Sequence, residues 1–239
     1  MISNLSIIFP LFNEENRLPK SLLKIIKFLK SEKKRKIEII LVNDGSRDKS
    51  LQLINSFKKK NKSKFSIKIV SLPINKGKGF AIYEGIKCAK YEWILTSDID
   101  HSVSLNQLNI WEKKNYILDD IFAYIGSRTH KNSIVKKLLL RSFLGAIFSF
   151  IIKLLFKIKL TDTQCGFKLY KKNIAKKCFR NLIRPGYEHD IEVIIKLKNF
   201  KIKIIELPVK WTHKKHSKVN IFIDPLKMFL GILILKFYY

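Results

Sequence analysis

Short apolar runs alternate with longer amphipathic runs through residues 1–100 of this 239-residue chain. Ile7–Leu11, Ile37–Val42, Ile67–Leu72 and Trp93–Thr96 have the length and apolar content of strands, whereas Glu14–Lys34 carries apolar residues at helical spacing. Strands that are apolar throughout and separated by helices are typical of a parallel sheet covered on both faces. The sequence therefore predicts an α/β fold.

The second half of the chain contains the same kinds of element in a less regular order. Strands are predicted at Ile121–Ile125 and Ile202–Val209, and helices at Ile174–Asn181, Glu188–Asn199 and Ile221–Phe237. Because no internal repeat and no Gly/Ser-rich linker interrupts the sequence, we predict a single domain over residues 1–239.

Polar residues collect directly after each of the first four predicted strands. The four segments are Pro10–Glu15, Asn43–Asp48, Asn75–Gly79 and Ser97–Asp100. Taken singly, each fits ordinary turn or helix-capping chemistry. Because the carboxyl ends of parallel strands meet at one edge of a sheet, where such folds bind ligands, the four segments together predict a binding site.

Two of these segments favour a phosphate ligand. Asp98 and Asp100 offer the hard oxygen atoms that suit Mg²⁺ or Mn²⁺ held together with substrate phosphates, and a helix N-cap is the alternative interpretation of the pair. The glycines of Asn75–Gly79 leave backbone N–H groups open to an anion, and Lys78 adds a positive charge. The sequence has neither the Walker spacing nor a GxGxxG segment after the first strand.

The charge of the chain limits the classes of partner. There are 48 Lys plus Arg against 19 Asp plus Glu, and 41 of the basic residues are lysines. A content of 46% hydrophobic residues excludes a disordered polycation. The formal net charge of +29 suggests nucleic acid or an anionic membrane as partner, and a codon bias towards lysine is a third explanation. No RNP-type aromatic motif, zinc spacing or recognition helix supports nucleic acid.

The strand-end segments resemble the motifs of a known family. Phe9–Glu15, Val42–Ser46, Asn75–Gly79 and Asp98–Asp100 resemble, in order and spacing, the family 2 glycosyltransferases of GT-A fold. Four later segments are similar to the polyprenyl-phosphate branch of that family, namely Gly126–Arg128, Asp162–Lys168, Asp190–Glu192 and Glu206–Trp211. The run Asp-Thr-Gln-Cys-Gly-Phe-Lys at 162–168 resembles the dolichyl-phosphate β-glucosyltransferases more than the mannose synthases.

The resemblance implies a GT-A (Rossmann-like) mixed, mostly parallel sheet with helices on both faces and amphipathic interface helices. It also implies that residues 1–100 bind a nucleotide sugar and that residues 101–218 bind the acceptor. The implied reaction is an inverting, metal-dependent transfer of a hexose, with glucose favoured, to a polyprenyl (dolichyl or undecaprenyl) phosphate. UDP-glucose is the favoured donor and GDP-mannose the alternative, and Mg²⁺ or Mn²⁺ is the implied cofactor.

The resemblance further assigns roles to individual residues. It implies that Asp98 and Asp100 hold the metal and that the catalytic set consists of Asp100, Arg128 and Arg141, with the arginines near the acceptor phosphate. The implied donor-binding positions are Pro10, Phe12, Glu14, Asp44, Lys78, Asp98, Gln164, Asp190, Glu192 and Lys218. Since Asp190 and Glu192 are two positions apart in a predicted helix, at most one of them is expected to face the donor.

A dense basic segment surrounds the longest apolar run of the second half. Lys131–Arg184 holds 14 basic residues and one acidic residue, and Phe143–Phe156 lies inside it. An apolar helix flanked by Lys and Arg is typical of a helix that lies in a membrane interface, so we assign this role to residues 133–160 and 221–239. The alternative is that these helices pack on each other or on a partner subunit.

The sequence also bears on the compartment. No signal peptide is expected after Met1, and no apolar run reaches the roughly 20 residues of a spanning helix. Three cysteines without a CxxC pair fit a reducing compartment. We therefore expect a peripheral protein on the cytoplasmic side of a membrane. The competing hypotheses are a family 2 enzyme with a glycan or protein acceptor and, more distantly, a basic nucleic-acid-binding protein.

Overall fold

A computed structural model describes residues 2–136, 149, 151–186, 188–213 and 223–239. The strands are β1 (Asn4–Leu11), β2 (Lys36–Asp44), β3 (Ser66–Leu72), β4 (Trp93–Thr96), β5 (Ala123–Ser127), β6 (Ile134–Lys136), β7 (Lys168–Lys171), β8 (Ile204–Pro208) and β9 (Lys210–Thr212). The helices are α1 (Leu18–Ser31), α2 (Ser50–Asn61), α3 (Lys78–Cys88), α4 (Gln107–Lys113), α5 (residues 151–156), α6 (Lys172–Phe179), α7 (His189–Asn199) and α8 (Ile223–Tyr238).

Seven of the strands form one sheet in the order β3-β2-β1-β4-β7-β5-β8, and β6 pairs with β9 in a separate ribbon. Strand β7 runs antiparallel to both of its neighbours, β4 and β5, whereas the other adjacent strands of the sheet are parallel. Lys168, at the start of β7, lies opposite Thr96 on one side and Ile125 on the other. The sheet is therefore mixed and mostly parallel, which confirms the predicted fold class.

The central strands bury apolar side chains on both faces of the sheet, as their continuous apolar runs require. Ile7 and Leu41 belong to a core that α1 covers, whereas Ile8 and Ile40 belong to a core that α3 covers. All four side chains are fully buried. Because β1, β2, β3 and β4 run parallel to one another, the polar loops that follow them lie at a single edge of the sheet.

Helices α5 and α8 pack against α7 through their inner sides. Ile152, Ile194 and Ile232, one from each helix, lie in a common apolar cluster. The outer sides remain open, since Leu154 is 70% exposed and Phe237 is 91% exposed. One side of each of these two helices therefore packs against the rest of the chain, and the other side is exposed. Among the described residues, no helix combines the length and the apolar content needed to span a bilayer.

Several boundaries differ from the sequence prediction for local reasons. Helix α1 begins at Leu18, later than predicted, because the carbonyl of Glu14 accepts the N–H groups of Arg17 and Leu18 in a turn and Pro19 then opens the helix. Residues 134–136 form strand β6, so the helix assigned to 133–160 is wrong at its start; within that range, residues 151–156 are helical. Residues 137–148 and 150 lie outside the described residues, and the division at residue 100 stays a prediction.

Gly85 allows helix α3 to lie directly on the sheet. A Cβ atom at this position would be 2.6 Å from Cγ2 of Ile8 and 3.1 Å from Cγ2 of Val42, closer than packed carbon atoms approach. We predict that G85A lowers the free energy of unfolding by about 1–3 kcal/mol because of this overlap. Urea unfolding measures the effect.

The control for G85A is C88A, at the exposed end of the same helix, which should leave the free energy of unfolding unchanged. In a helix without this contact, alanine would instead stabilise by roughly 0.5–1 kcal/mol relative to glycine. An unfolding midpoint for G85A equal to or above that of the wild type would therefore contradict the packing of α3.

Candidate active site

Two loops from the second half of the chain, after β5 and before β7, meet the strand-end segments of the first half at one edge of the sheet. Asp98 follows β4, Arg128 follows β5, and Lys168 begins β7. Because β7 is antiparallel to β4 and β5, its start lies at the edge where those two strands end. The loop at 161–167 therefore joins the segments that the sequence predicted to come together.

The loops after β1 and β2 are joined by hydrogen bonds. The N–H of Asn13 donates to Oγ of Ser46 at 2.9 Å, and the N–H of Arg47 donates to Oδ1 of Asn13 at 2.8 Å. Asn13 adopts a positive φ of 51°, which asparagine tolerates better than most residues. The segments that contain Phe12 and Glu14 thus have a defined position beside the loop after β2.

Asp44 fixes the glycine-containing loop after β3. Its two carboxylate oxygens accept the N–H groups of Lys76 at 2.8 Å and Gly77 at 3.0 Å. Burial raises the pKa of Asp44, although these two hydrogen bonds oppose the shift. Gly77 has a φ of +96°, a conformation that side chains other than glycine rarely adopt. Asp44 therefore determines the path by which the chain enters α3 and presents Lys78.

Lys78 and Asp98 form an ion pair at the centre of the edge. Nζ of Lys78 lies 2.6 Å from Oδ1 of Asp98, and both side chains are partly exposed. Burial would raise the pKa of Asp98, but the charge and hydrogen bond of Lys78 outweigh it and lower that pKa. Burial would likewise lower the pKa of Lys78, yet the charges of Asp98 and Asp190 raise it. Both groups are consequently charged at neutral pH.

A second, more deeply buried charge cluster lies behind this pair. Nζ of Lys168 contacts Oδ1 of Asp190, and Nε2 of His189 is 3.4 Å from the same oxygen. Burial alone would raise the pKa of Asp190, but the charges of His189, Lys168 and Lys78 bring it to about 2. Burial lowers the pKa of His189, whose Nδ1 lies 2.7 Å from the carbonyl oxygen of Gly186. Helix α7 thus begins with side chains that face the cations of the edge.

Arg128 is held in place by Asp162. Nε and Nη2 of Arg128 donate to the two carboxylate oxygens of Asp162 at 2.7 Å each, and the N–H of Arg128 donates to Oδ2 at 2.8 Å. Glu206 in turn accepts the N–H groups of Thr161 and Asp162 at 2.8–2.9 Å. A bidentate pair of this kind fixes the plane of the guanidinium. Arg128 therefore enters the edge in a defined orientation.

A small cavity lies between the two halves of the edge. It has a volume of about 40 Å³, and Asp98, Ser102, Arg128, Gln164 and Trp211 are among the residues that line it. Gly166 approaches Asp98 so closely that a Cβ atom there would collide with the carboxylate. A space of this size holds an ion or a water molecule but no sugar, so a larger ligand would lie over the edge.

Asp98, which lines this cavity, and Asp100 in the same loop are oxygen ligands of the kind that a divalent metal takes. Asp98 supplies a partly exposed carboxylate, and both carboxylate oxygens of Asp100 accept hydrogen bonds from Ser102, at 2.8 Å from the N–H and 3.0 Å from the hydroxyl. Within the described parts of the chain, no group of three or more His, Cys, Asp or Glu residues is arranged to hold a metal. Two carboxylates leave coordination positions for diphosphate oxygens and water, which is how Mg²⁺ is commonly held.

The structure brings together only part of the predicted set. Lys78, Asp98, Arg128, Gln164 and Asp190 lie at or directly behind the cavity. Glu192 does not, because its carboxylate accepts the N–H groups of Ile183 and Arg184. Of the two acids predicted to bind the donor, Asp190 therefore lies behind the cavity and Glu192 lies away from it. Arg141 and Lys218 lie outside the described residues.

Two site residues carried no predicted role although they lie inside the quoted motif 162–168. Lys168 holds Asp190, and Asp162 holds Arg128. A lysine is rarely buried between two apolar strands, and Lys168 can be recognised in the sequence by its position beside the apolar residues of β7. Its partner Asp190 cannot be recognised in the same way, because which residues meet depends on the order of the strands in the sheet. Asp162 combines two contacts, because its carboxylate binds Arg128 and also accepts the N–H of Gln164 at 3.2 Å.

We predict that D190N destabilises the protein strongly. Lys168 would remain as an uncompensated buried charge, which costs about 3–5 kcal/mol in other buried pairs. The double variant K168M/D190N removes both charges and should recover much of that loss. Urea unfolding at pH 7 compares the three proteins, and equal stabilities for wild type and D190N would contradict the ion pair.

The acid limb of the stability profile provides a second readout for the same variants. Because the pKa of Asp190 falls from 3.8 to about 2 on folding, its contribution to stability is complete above about pH 4 and is lost as the pH falls through about 2. K168M/D190N lacks this contribution, so its stability should decline less steeply than that of the wild type over this range.

Comparison with known proteins agrees with the motifs. The sequence profile of Glycosyl transferase family 2 matches residues 6–179. The dolichyl-phosphate beta-glucosyltransferase of Dictyostelium discoideum is 32% identical over 244 residues, which cover 98% of this chain and 74% of that protein. The Homo sapiens protein of the same name is 32% identical over 251 residues, which cover 98% of this chain and 75% of that protein.

Solved structures with the same fold include glucosyl-3-phosphoglycerate synthase from Mycobacterium tuberculosis. Its complex with UDP superposes with a TM-score of 0.67 at 13% identity, covering 98% of this chain and 80% of that one. Its complex with Mn²⁺, UDP-glucose and phosphoglyceric acid gives a TM-score of 0.67 at 12% identity over the same shares. At such identities the likeness shows the GT-A fold alone. The profile and the relatives together show that the chain belongs to the family 2 glycosyltransferases, in the group of the dolichyl-phosphate β-glucosyltransferases.

Proposed function

We propose that this protein transfers glucose from UDP-glucose to dolichyl phosphate with inversion at the anomeric carbon. The observation that carries the proposal is the Lys78–Asp98 pair beside a cavity that Arg128 also lines, at the edge where four strand-end segments meet. Relatives named dolichyl-phosphate beta-glucosyltransferase support the acceptor and the sugar. GDP-mannose remains the alternative donor in the test below.

The donor would lie over the strand ends of the first half. We propose that Pro10, Phe12, Glu14 and Asp44 border the nucleotide, with Asp44 acting through the loop that it fixes. Lys78 is available to a diphosphate, because a phosphate oxygen and the carboxylate of Asp98 are equivalent partners for its ammonium group. Gln164 lines the cavity where the sugar would approach.

Asp98 and Asp100 are the residues that would hold Mg²⁺ or Mn²⁺. Carboxylate oxygens are the ligands these hard cations prefer. When bound, such a cation neutralises negative charge on a departing diphosphate. The ion pair with Lys78 already keeps Asp98 ionised at neutral pH, so the carboxylate needs no proton loss before it binds a cation.

The acceptor phosphate would approach from the side of Arg128. Asp162 takes the N–H of Nε and one N–H of Nη2, and a guanidinium carries five such donors, so the remaining donors point away from Asp162. A phosphate oxygen is anionic at neutral pH and needs no general base to attack the anomeric carbon. Cys165 is no competing nucleophile, because burial raises the pKa of its thiol to about 12. The protein's contribution is therefore positioning and electrostatics.

We further propose that the open sides of α5 and α8 rest on an anionic membrane surface. Leu154, Leu230 and Phe237 are exposed there, and Lys153 and Lys236 flank them. Apolar side chains bordered by lysines bind such surfaces through burial and through roughly 1 kcal/mol per basic residue. The three unpaired cysteines support a reducing compartment, and we place the protein at the cytoplasmic face.

The reaction is tested with a panel of UDP-glucose and GDP-mannose, dolichyl phosphate, and Mg²⁺ or Mn²⁺, with the product identified by mass. We expect glucosyl phosphodolichol from UDP-glucose, and we expect D98N and D100N each to lower the rate by about 10²-fold or more. D119N and D120N, which alter exposed carboxylates after α4, are the matched controls and should keep full activity.

Two results would count against this proposal. Full activity of D98N and D100N with metal still required would remove the metal assignment. Transfer to a soluble glycan without any dolichyl phosphate would replace the acceptor.

Membrane binding is tested by flotation with vesicles that contain phosphatidylserine. We expect the double variant L230S/F237S to partition at least tenfold less than the wild type, because burial of each of these side chains is worth about 1.5–3 kcal/mol. L23S is the control and should float as the wild type does. Leu23 is also an exposed leucine, at 70%, but it belongs to α1, which covers the other face of the sheet. A wild-type protein that stays in the dense fraction would rule out the membrane surface.

A further inference from the structure

Two acidic residues, the N-cap Glu188 and Glu192 in the first turn of α7, face away from the donor edge. Whereas Asp190 contacts Lys168 at the edge, Glu188 and Glu192 are buried on the side that meets α8. Glu192 is completely inaccessible to solvent. A buried carboxylate is stabilised only when several donors surround it, so the groups that donate to Glu192 are held in fixed positions.

Glu192 holds the turn formed by residues 183–186. Its Oε1 accepts the N–H of Ile183 and its Oε2 accepts the N–H of Arg184, both at 2.8 Å. Nη2 of Arg184 also lies 3.2 Å from Oε1 of Glu188. The two acidic residues of α7 therefore fix both the backbone and one side chain of this turn.

The same turn supports the loop that presents Lys78. The N–H of Gly79 donates to the carbonyl oxygen of Pro185 at 2.8 Å. A Cβ atom on Gly77 would lie 2.6 Å from that same carbonyl oxygen, so the turn and the loop are in direct contact on both sides of Lys78. Any displacement of Pro185 would be transmitted to Lys78 and hence to its ion pair with Asp98.

Helix α8 completes the surroundings of the two acidic residues. The hydroxyl of Tyr239 donates to Oε1 of Glu192 at 3.0 Å. Burial and the charge of Glu192 raise the pKa of Tyr239, so the hydroxyl keeps its proton at neutral pH. Gly231 lies against Glu188, where a Cβ atom would collide with the carboxylate. Helix α8 thus contacts α7 at the two residues that hold the turn.

We propose that Glu192 and Tyr239 are positioning residues for the donor site, acting on Lys78 through the turn at 183–186. The inference rests on the proposed function, since it concerns the binding of a sugar nucleotide. The chain of contacts runs from Tyr239 to Glu192, then through the backbone of Ile183–Pro185 to Gly79, and ends at Lys78. Each link is a hydrogen bond or a close contact between described residues, and none of them touches the acceptor side at Arg128.

The main test is Y239F, which removes one hydroxyl and keeps the ring. We expect the dissociation constant and the KM for UDP-glucose to rise about three- to tenfold, because Glu192 loses a donor and the turn loosens. The KM for dolichyl phosphate should remain unchanged, because no link of this chain of contacts reaches Arg128. Y238F is the matched control, since Tyr238 is 66% exposed on the same helix, and it should leave all constants unchanged.

A double-mutant cycle distinguishes positioning through Lys78 from a general structural effect. In the K78M background, Y239F should no longer change the donor dissociation constant, because the residue through which it acts is absent. G231A perturbs the other contact of α8 by displacing Glu188, and it should raise the same constant in the same direction. If Y239F proves unstable, the donor dissociation constants of G231A, K78M and G231A/K78M test the proposal instead.

The outcomes separate the inference from the proposed function. A wild-type protein that binds no sugar nucleotide overturns both. A wild-type protein that binds UDP-glucose while Y239F and Y238F bind it equally overturns the inference alone. An effect of Y239F that persists undiminished in the K78M background also overturns it, because Tyr239 would then act without Lys78.

Discussion

The reversed direction of β7 is the constraint on which the site depends. Its first residue, Lys168, lies opposite Thr96 at the end of β4, so the loop before β7 reaches the edge where β4 and β5 end. A parallel strand at this place in the sheet would have sent residues 161–167 to the opposite edge. Asp98 would then lack its close neighbour Gly166, and Arg128 would lack Asp162. Strand β7, which is antiparallel to both of its neighbours, thus joins the loop of Asp98 to the loop of Arg128.

The ion pairs at this edge each connect elements that are distant in sequence. Lys78 at the start of α3 binds Asp98 after β4, and Lys168 of β7 binds Asp190 of α7. Burying such pairs costs free energy unless their geometry is good, so they contribute more to the arrangement of the elements than to net stability. The edge therefore carries fixed, alternating charges in a protein whose surface is otherwise strongly basic.

Helix α7 connects the two regions in which this chain differs from a simple α/β sheet. Its first turn faces the donor edge through Asp190, whereas Glu192 faces the turn that α8 covers. The open side of α8 is the surface that we propose to rest on a membrane, and the inner side of α8 contacts Glu188, which binds Arg184 of the turn that supports Lys78.

Local signals in the sequence were enough to predict the class of the fold and the place of the site. Continuous apolar strands predict a buried, mostly parallel sheet, and the polar segments after the first four strands predict that Lys78 and Asp98 meet at one edge, whereas Arg128 was expected there only from the family resemblance. These signals are local, because periodicity reports which face of an element is buried. The order of the strands, the reversal of β7 and the partners of Lys168 and Glu192 became visible only in the folded chain. A strand of four residues carries no signal of its direction, and the partner of a buried charge depends on which elements the sheet makes neighbours.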